Sequence, residues 1–254
     1  MIDLTRPQSK IFKDATRFRV VVAGRRFGKT FLSVSELLQV AVNRPDSNCW
    51  YIAPTYRAAK DIAWQMLCDS VPEIYIAKRN ETELTLKLVN GSTISLKGAE
   101  NADSLRGRSL DFCVLDEFAD MKPTAWSEVI RPSLSDRHSE GNPTRALFIG
   151  TPKGVGSAFY DLWQKGNDKE NGWQSFQYTT LEGGNVPDFE VEAAKRDLDA
   201  RTFKQEYEAS FVTYSGVIYY NFDRRESVKD CPFDWGDQED TLETRQIRKR
   251  FNAV

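Results

Sequence analysis

The sequence predicts an α/β fold in which helices flank a mainly parallel sheet. Three observations carry that expectation. Short apolar runs alternate with stretches of helical spacing, a Gly-containing turn joins the first run to the first long helical stretch, and later runs deliver polar residues at their C-terminal ends.

Arg19-Val20-Val21-Val22-Ala23 is a β-branched run that enters the Gly-containing turn, and helical spacing then extends from Thr30 to about Val42. Asn48 to Ala53 reads as a second strand, stopped by Pro54. From Arg57 to Ser70 the apolar residues Ala59, Ile62, Ala63 and Met66 recur at i, i+3, i+4 and i+7, which places them on one helix face. Leu84–Val89 and Ser92–Lys97 alternate around Asn90-Gly91, a strong hairpin signal. Asp111–Leu115 is apolar enough to be a strand buried on both faces. Ala146–Gly150 is another strand, followed by Thr151-Pro152-Lys153-Gly154 and a helical run to about Gln164. Beyond Thr180 the pattern changes to a Gly- and Pro-containing loop (182–188) and one charged helix from about Phe189 to Ala209. The tail from Asp223 is poor in apolar residues and carries an acidic block followed by a basic one.

Composition narrows the chemistry. The 254 residues suit one large domain with or without an appendage, and 40% hydrophobic content is that of an ordinary globular protein. With 35 Lys and Arg against 37 Asp and Glu, any polyanionic partner must be met by local basic patches. Four widely separated cysteines (Cys49, Cys68, Cys113, Cys231) form no CxxC pair, so reduced thiols are expected and a zinc site is not. His138, the only histidine, follows Asp136-Arg137 in a polar stretch and is expected on an exposed loop. The N-terminus is not a signal peptide, and no apolar run approaches the ~18 residues a membrane span needs, so a soluble protein without a membrane partner is expected.

The first chemical motif is Ala23-Gly24-Arg25-Arg26-Phe27-Gly28-Lys29-Thr30, which has the spacing of a phosphate-binding P-loop with Ala in place of the first Gly. Strand, tight turn and helix N-terminus together present backbone N–H groups to a phosphate. Gly24 through Lys29 would line the nucleotide, Lys29 would neutralise β/γ-phosphate charge, and the Thr30 hydroxyl would bind Mg²⁺. The second motif is Phe112-Cys113-Val114-Leu115-Asp116-Glu117, an apolar strand that delivers two acids in the Walker B manner. Asp116 would hold Mg²⁺ and Glu117 would polarise an attacking water. A carboxylate at Glu117 favours hydrolysis over transfer to a small molecule. The third is Gly150-Thr151-Pro152, whose hydroxyl at a strand end is placed to sense a γ-phosphate. Arg25-Arg26 lie within the loop, where a guanidinium can act as a finger in cis. Arg106-Gly107-Arg108 can act in trans, contact DNA, or form a solvated loop. Gln8, ahead of the first strand, offers an amide to adenine.

These residues, in this order, resemble the large subunit of tailed-phage terminases, the ATPase that packages DNA into a procapsid. The resemblance covers about residues 5 to 220 and includes GRRFGKT, VLDE and IGTPKG. It implies that Arg25 is the family's P-loop arginine, that Gln8 is its adenine-contacting glutamine, and that Gly150-Thr151 is its coupling element. The fold it implies is a P-loop NTPase of the additional-strand, catalytic-glutamate type with a small helical lid. The expected division is an ATPase core at 1–180, a lid or linker at 181–222, and a tail at 223–254. The implied cofactors are ATP and Mg²⁺. The implied partners are double-stranded DNA, a portal protein, a small terminase subunit and further copies in a ring, all in the host cell cytoplasm. Family members continue into a nuclease domain, and Gly216–Phe222 with Phe233–Gly236 resemble its beginning. The residues after Asp234 are too few to complete that domain, so a disordered tail and no DNA cleavage are expected. A helicase-like translocase, or a nucleotide-dependent binding module with little turnover, shares the same two nucleotide motifs.

Overall fold

A computed structural model describes residues 3–139 and 141–212. The expected end of the lid (213–222) and the tail (223–254) lie outside the described residues.

Helix α1 (Arg6–Lys13) precedes β1 (Phe18–Ala23), and the phosphate loop joins β1 to α2 (Lys29–Asn43). β2 (Asn48–Ala53) leads into α3 (Tyr56–Ala59), a π-helical turn (Lys60–Trp64) and α4 (Gln65–Asp69). Next come β3 (Ile76–Asn80), β4 (Thr85–Leu88), β5 (Thr93–Gly98) and β6 (Phe112–Asp116). A π-helical segment (Ala125–Ile130) with α5 (Arg131–Ser133) crosses to β7 (Arg145–Gly150), followed by α6 (Ala158–Asn167) and β8 (Trp173–Tyr178). Three short helices close the described chain: α7 (Thr180–Gly183), α8 (Asp188–Asp197) and α9 (Ala200–Glu206).

The described residues form one sheet in the order β3-β4-β5-β2-β6-β7-β1-β8. From β5 to β8 every neighbouring pair is parallel, and β3 and β4 extend it as an antiparallel edge. Successive strand residues face opposite sides, so each strand feeds two cores. Val21, Tyr51, Val114 and Leu147 pack on the side of α1, α2 and α4. Val20, Trp50, Cys113 and Phe148 pack on the side of α6 and the π-helical segment. Burial on both faces is why these strands read as continuous apolar runs.

The topology positions the site. β7 stands between β1 and β6, so the P-loop strand and the acidic strand are separated by one added strand. All three run parallel and end on the same edge of the sheet. Behind the loop, Arg19 of β1 and Glu36 of α2 form a fully buried bidentate pair at 2.6 and 2.8 Å. Two parallel charge-assisted bonds fix the rotation of α2 on β1, and with it the aim of the helix N-terminus.

The structure corrects the expected helix from Phe189 to Ala209. It is two helices, α8 and α9, broken at Leu198. Asp199 caps α9 by accepting from the N–H groups of Arg201 and Thr202 at 3.0 and 3.1 Å. An aspartate that satisfies those donors starts a helix more readily than it continues one. His138 is exposed, and its Nδ1 accepts from the Thr144 N–H at 3.2 Å. Among the described residues no helix is long and apolar enough to cross a membrane.

Candidate nucleotide-binding site

β1 ends at Ala23, and the chain turns sharply to enter α2 at Lys29. The turn needs two left-handed residues, Arg26 (φ 62°) and Gly28 (φ 90°). At Gly28 a Cβ would also collide with the Gln8 amide, so glycine is required there twice over. The first N–H groups of α2 have no intrahelical acceptor and carry the positive end of the helix dipole, which makes this end of the fold an anion site.

Lys29 folds back over the turn. Its Nζ donates to the carbonyls of Ala23 and Gly24 at 3.3 and 3.4 Å and to Thr151 Oγ1 at 3.0 Å. It also lies 3.8 Å from Glu117 Oε1. Glu117 follows β6 in a left-handed conformation (φ 51°), uncommon for a residue with a side chain, which turns the carboxylate back toward Lys29. The Thr151 N–H donates to Glu117 Oε2 at 3.2 Å. Gly150 allows this approach, since a Cβ there would sit 3.3 Å from both the Cα and Oε2 of Glu117. Thr151 therefore touches Lys29 through its hydroxyl and Glu117 through its backbone.

Asp116 is buried at the end of β6. It accepts from the Glu117 N–H at 3.0 Å and from the Tyr51 hydroxyl of β2. Burial, with the neighbouring Glu117 charge, pushes its pKa up to about 6, against the opposing pull of the Tyr51 hydrogen bond and the Lys29 ammonium. Tyr51 escaped sequence reasoning. The available signal was a tyrosine inside an otherwise apolar central strand, whose buried hydroxyl needs a partner.

Removing that hydroxyl gives a stability prediction. Asp116's folded pKa lies above its ordinary value, so its ionised form is disfavoured in the fold, and the penalty grows as pH rises from the ordinary carboxylate range to about 6 and is constant above that. Tyr51→Phe raises that pKa further and leaves an ionised buried oxygen without its donor. Unfolding in denaturant should show a loss of about 1–3 kcal/mol near pH 8 and a smaller one near pH 5. An equal loss at both pH values would indicate that the hydroxyl serves packing alone.

Gln8 is buried, and both ends of its amide are engaged. Oε1 accepts from the Thr5 N–H at 3.0 Å, while Nε2 donates to the carbonyls of Phe27 and Gly28 at 3.0 and 3.4 Å. In this position Gln8 braces the loop. The Arg25 guanidinium pairs with the end of α9, its Nε 2.5 Å from Glu206 Oε2. Its backbone is held as well, the N–H donating to Glu206 O at 2.7 Å and the carbonyl accepting from Thr180 Oγ1 at 2.9 Å. Arg26 is exposed and Phe27 is buried, its ring stacked on Tyr178 at 5.6 Å. Thr30 is the second residue of α2 and is half-buried. Arg106 pairs with Asp103 at 2.8 Å and with Glu128 at 3.5 Å, and Arg108 is exposed.

Residues 20–226 match the family described as terminase large subunit, T4likevirus-type, N-terminal. The large terminase subunit of Escherichia phage T5 is 32% identical over 219 residues, 84% of this chain and 48% of that protein. The large subunit of Thermus virus P23-45 is 30% identical over 249 residues, 85% of this chain and 50% of that one. The chain thus spans about half the length of the curated relatives it matches. Among solved structures, the large terminase ATPase domain of Thermus phage P74-26 superposes with a TM-score of 0.71 at 27% identity, covering 83% of this chain and 94% of that one. The large terminase of another thermophilic bacteriophage shares the fold at a TM-score of 0.70 and 17% identity, over 88% of this chain and 57% of that one. The chain belongs to the terminase large-subunit family and matches the N-terminal part of its members.

Proposed function

We propose that this chain hydrolyses ATP and, as part of a terminase large subunit, drives double-stranded DNA into a phage procapsid. One observation carries the hydrolytic part. Lys29, Asp116, Glu117 and Thr151 converge from the C-terminal ends of three adjacent parallel strands onto a helix N-terminus. A cation, a buried carboxylate and a second, half-exposed carboxylate are the groups that phosphoanhydride hydrolysis needs.

The residues divide the work. The loop from Gly24 to Lys29 holds the phosphates, and the Lys29 ammonium stabilises charge on the β- and γ-phosphates. Asp116 and Thr30 offer a carboxylate and a hydroxyl, hard oxygen donors of the kind Mg²⁺ selects. When bound, Mg²⁺ supplies neutralisation of phosphate charge. Glu117 orients the attacking water and accepts its proton. Thr151, in touch with Lys29 and Glu117 together, passes the loss of the γ-phosphate to the loop after β7. The core is assigned to 1–180 and the lid or linker to 181–222, a division supported by β8 ending at Tyr178. Double-stranded DNA, a portal protein, a small terminase subunit and further copies of the chain in a ring are the proposed partners, in the host cell cytoplasm.

Steady-state phosphate release with Mg²⁺-ATP, with and without double-stranded DNA, tests the proposal. Turnover is expected in both cases, with DNA altering its rate. Binding of Mg²⁺-ADP without any turnover would favour a nucleotide-dependent binding module instead.

Arg25 supplies a second test. To meet a γ-phosphate, its guanidinium must leave Glu206. If it meets charge that develops only in transfer, Arg25→Ala lowers kcat by on the order of tenfold or more with little change in KM, and Arg26→Ala is milder. Glu206→Gln, which frees Arg25, should not lower kcat. Equal and slight effects at Arg25 and Arg26 would reduce the pair to ordinary loop charges.

A further inference from the structure

Four successive carbonyls of the phosphate loop are each held by a side chain from outside it. Thr180 Oγ1 donates to Arg25 O at 2.9 Å. Asn185 Nδ2 donates to Arg26 O at 3.2 Å and to Phe27 O at 3.0 Å. Gln8 Nε2 donates to Phe27 O at 3.0 Å and to Gly28 O at 3.4 Å. A trans peptide is planar, with its C=O and the following N–H pointing in opposite directions. Holding those carbonyls outward therefore turns the N–H groups of Arg26, Gly28 and Lys29 to the inner side of the turn. The Phe27 N–H closes the turn on Gly24 O at 3.4 Å.

We propose that Asn185 is a positioning residue for the nucleotide, acting through the loop: its carboxamide holds the Arg26 and Phe27 carbonyls outward so that the loop's N–H groups meet the phosphates. The assignment rests on the nucleotide-binding reading of the site. Arg26 is the non-glycine left-handed residue of the turn, and its peptide is the one Asn185 grips. Phe27 O receives two amide donors, Asn185 and Gln8, which uses both of its lone pairs. A Cβ on Gly28 would lie 3.3 Å from Asn185 Nδ2, so both amides close on the loop where it has no side chain.

The segment that carries Asn185 is fixed locally. Gly184 (φ 72°) ends α7 in the left-handed conformation and redirects the chain over the turn. Gly183 packs so closely on the loop that a Cβ there would sit 3.0 Å from Phe27 Cα. Asn185 thus lies just past α7, in the stretch that leads to α8 and α9. Asn185 is one of the links between nucleotide affinity and the placement of this stretch, beside the Arg25–Glu206 pair, and by reciprocity a bound nucleotide stabilises it.

The test is calorimetric binding of Mg²⁺-ADP to the whole chain. Asn185→Ala removes the two bonds and is expected to weaken binding by about threefold. Asn185→Asp keeps the shape but near pH 8 presents a carboxylate to two carbonyls, and is expected to weaken binding by about tenfold. An ordinary aspartate, with a pKa of about 3.9, is still mostly ionised near pH 5, but the two carbonyls facing this one favour its protonated, donating form, so the Asp variant's deficit relative to wild type should narrow as pH falls toward 5 while that of the Ala variant stays constant. Such a crossover is not expected of a residue that merely fills space. Asn185 is exposed, and thermal unfolding checks that each variant is folded. Both variants binding within twofold of wild type, or losing affinity equally at both pH values, would overturn the assignment. Failure of the wild-type chain to bind Mg²⁺-ADP would overturn the nucleotide reading itself and is seen before any variant is compared.

Discussion

Lys29→Ala is expected to abolish ATP hydrolysis while leaving the fold intact. The ammonium lies within 3.0–3.8 Å of Thr151 Oγ1, two loop carbonyls and Glu117, and its side chain is only 12% exposed. A charge fixed in such a place needs no reorganisation when negative charge builds on a phosphate, and solvent screens it weakly. Its removal should lower kcat on the order of 10²-fold or more, which corresponds to about 2.7 kcal/mol of lost transition-state stabilisation. The fold should tolerate the change, because Lys29 opens α2 and contributes no apolar side chain to either core. Circular dichroism and thermal unfolding check the fold, and phosphate release checks turnover. Near-normal turnover in a folded Lys29→Ala protein would remove the phosphate-loop assignment.

The parts of the fold that were legible in the sequence are those whose burial is extreme. β1, β2, β6 and β7 are buried on both faces and read as apolar runs, while the β4–β5 hairpin announced itself through Asn90-Gly91. β8 was not legible, since Trp173–Tyr178 is an edge strand with mostly half-buried polar and aromatic residues and no apolar run. β3 is mostly exposed and polar for the same reason. α1 did leave a signal, a proline in its first turn and Gln8 in position to accept from the Thr5 N–H, but eight residues give little periodicity.

The candidate site divides along the same line. Lys29, Asp116, Glu117 and Thr151 lie in contiguous motifs at strand ends, so the order of the sheet alone brings them together. Tyr51, Thr180, Asn185 and Glu206 reach the site through tertiary packing, and no local spacing marks them. Gln8 and Arg25 show the limit of motif reasoning from the other side. The spacing located both beside the loop, but the groups they hold, loop carbonyls and the Glu206 carboxylate, are set by elements up to 181 positions away.

Glu117→Gln should bind ATP and Mg²⁺ yet hydrolyse very slowly. The left-handed turn at Glu117 and the Thr151 N–H place its Oε2, and a glutamine keeps both the turn and an oxygen acceptor for that N–H. What the amide lacks is the capacity to take a proton from water, a step worth about 10²–10⁴-fold in rate. It also loses the charge attraction to Lys29 Nζ at 3.8 Å, which frees the ammonium for phosphate and favours retained nucleotide affinity. Asp116→Asn is expected to fail differently. Its carboxylate is buried, held by Tyr51 and the Glu117 N–H, and proposed to serve the metal and not the water. An asparagine there can still accept from Tyr51, but it brings no charge to a divalent cation, so Mg²⁺-dependent binding should weaken first. Titrating a fluorescent ATP analogue against each variant, at fixed and varied Mg²⁺, and following single-turnover phosphate release separates binding from chemistry. Identical defects in both measurements for the two variants would show that the carboxylates act as one unit, and the division between water and metal would have to be abandoned.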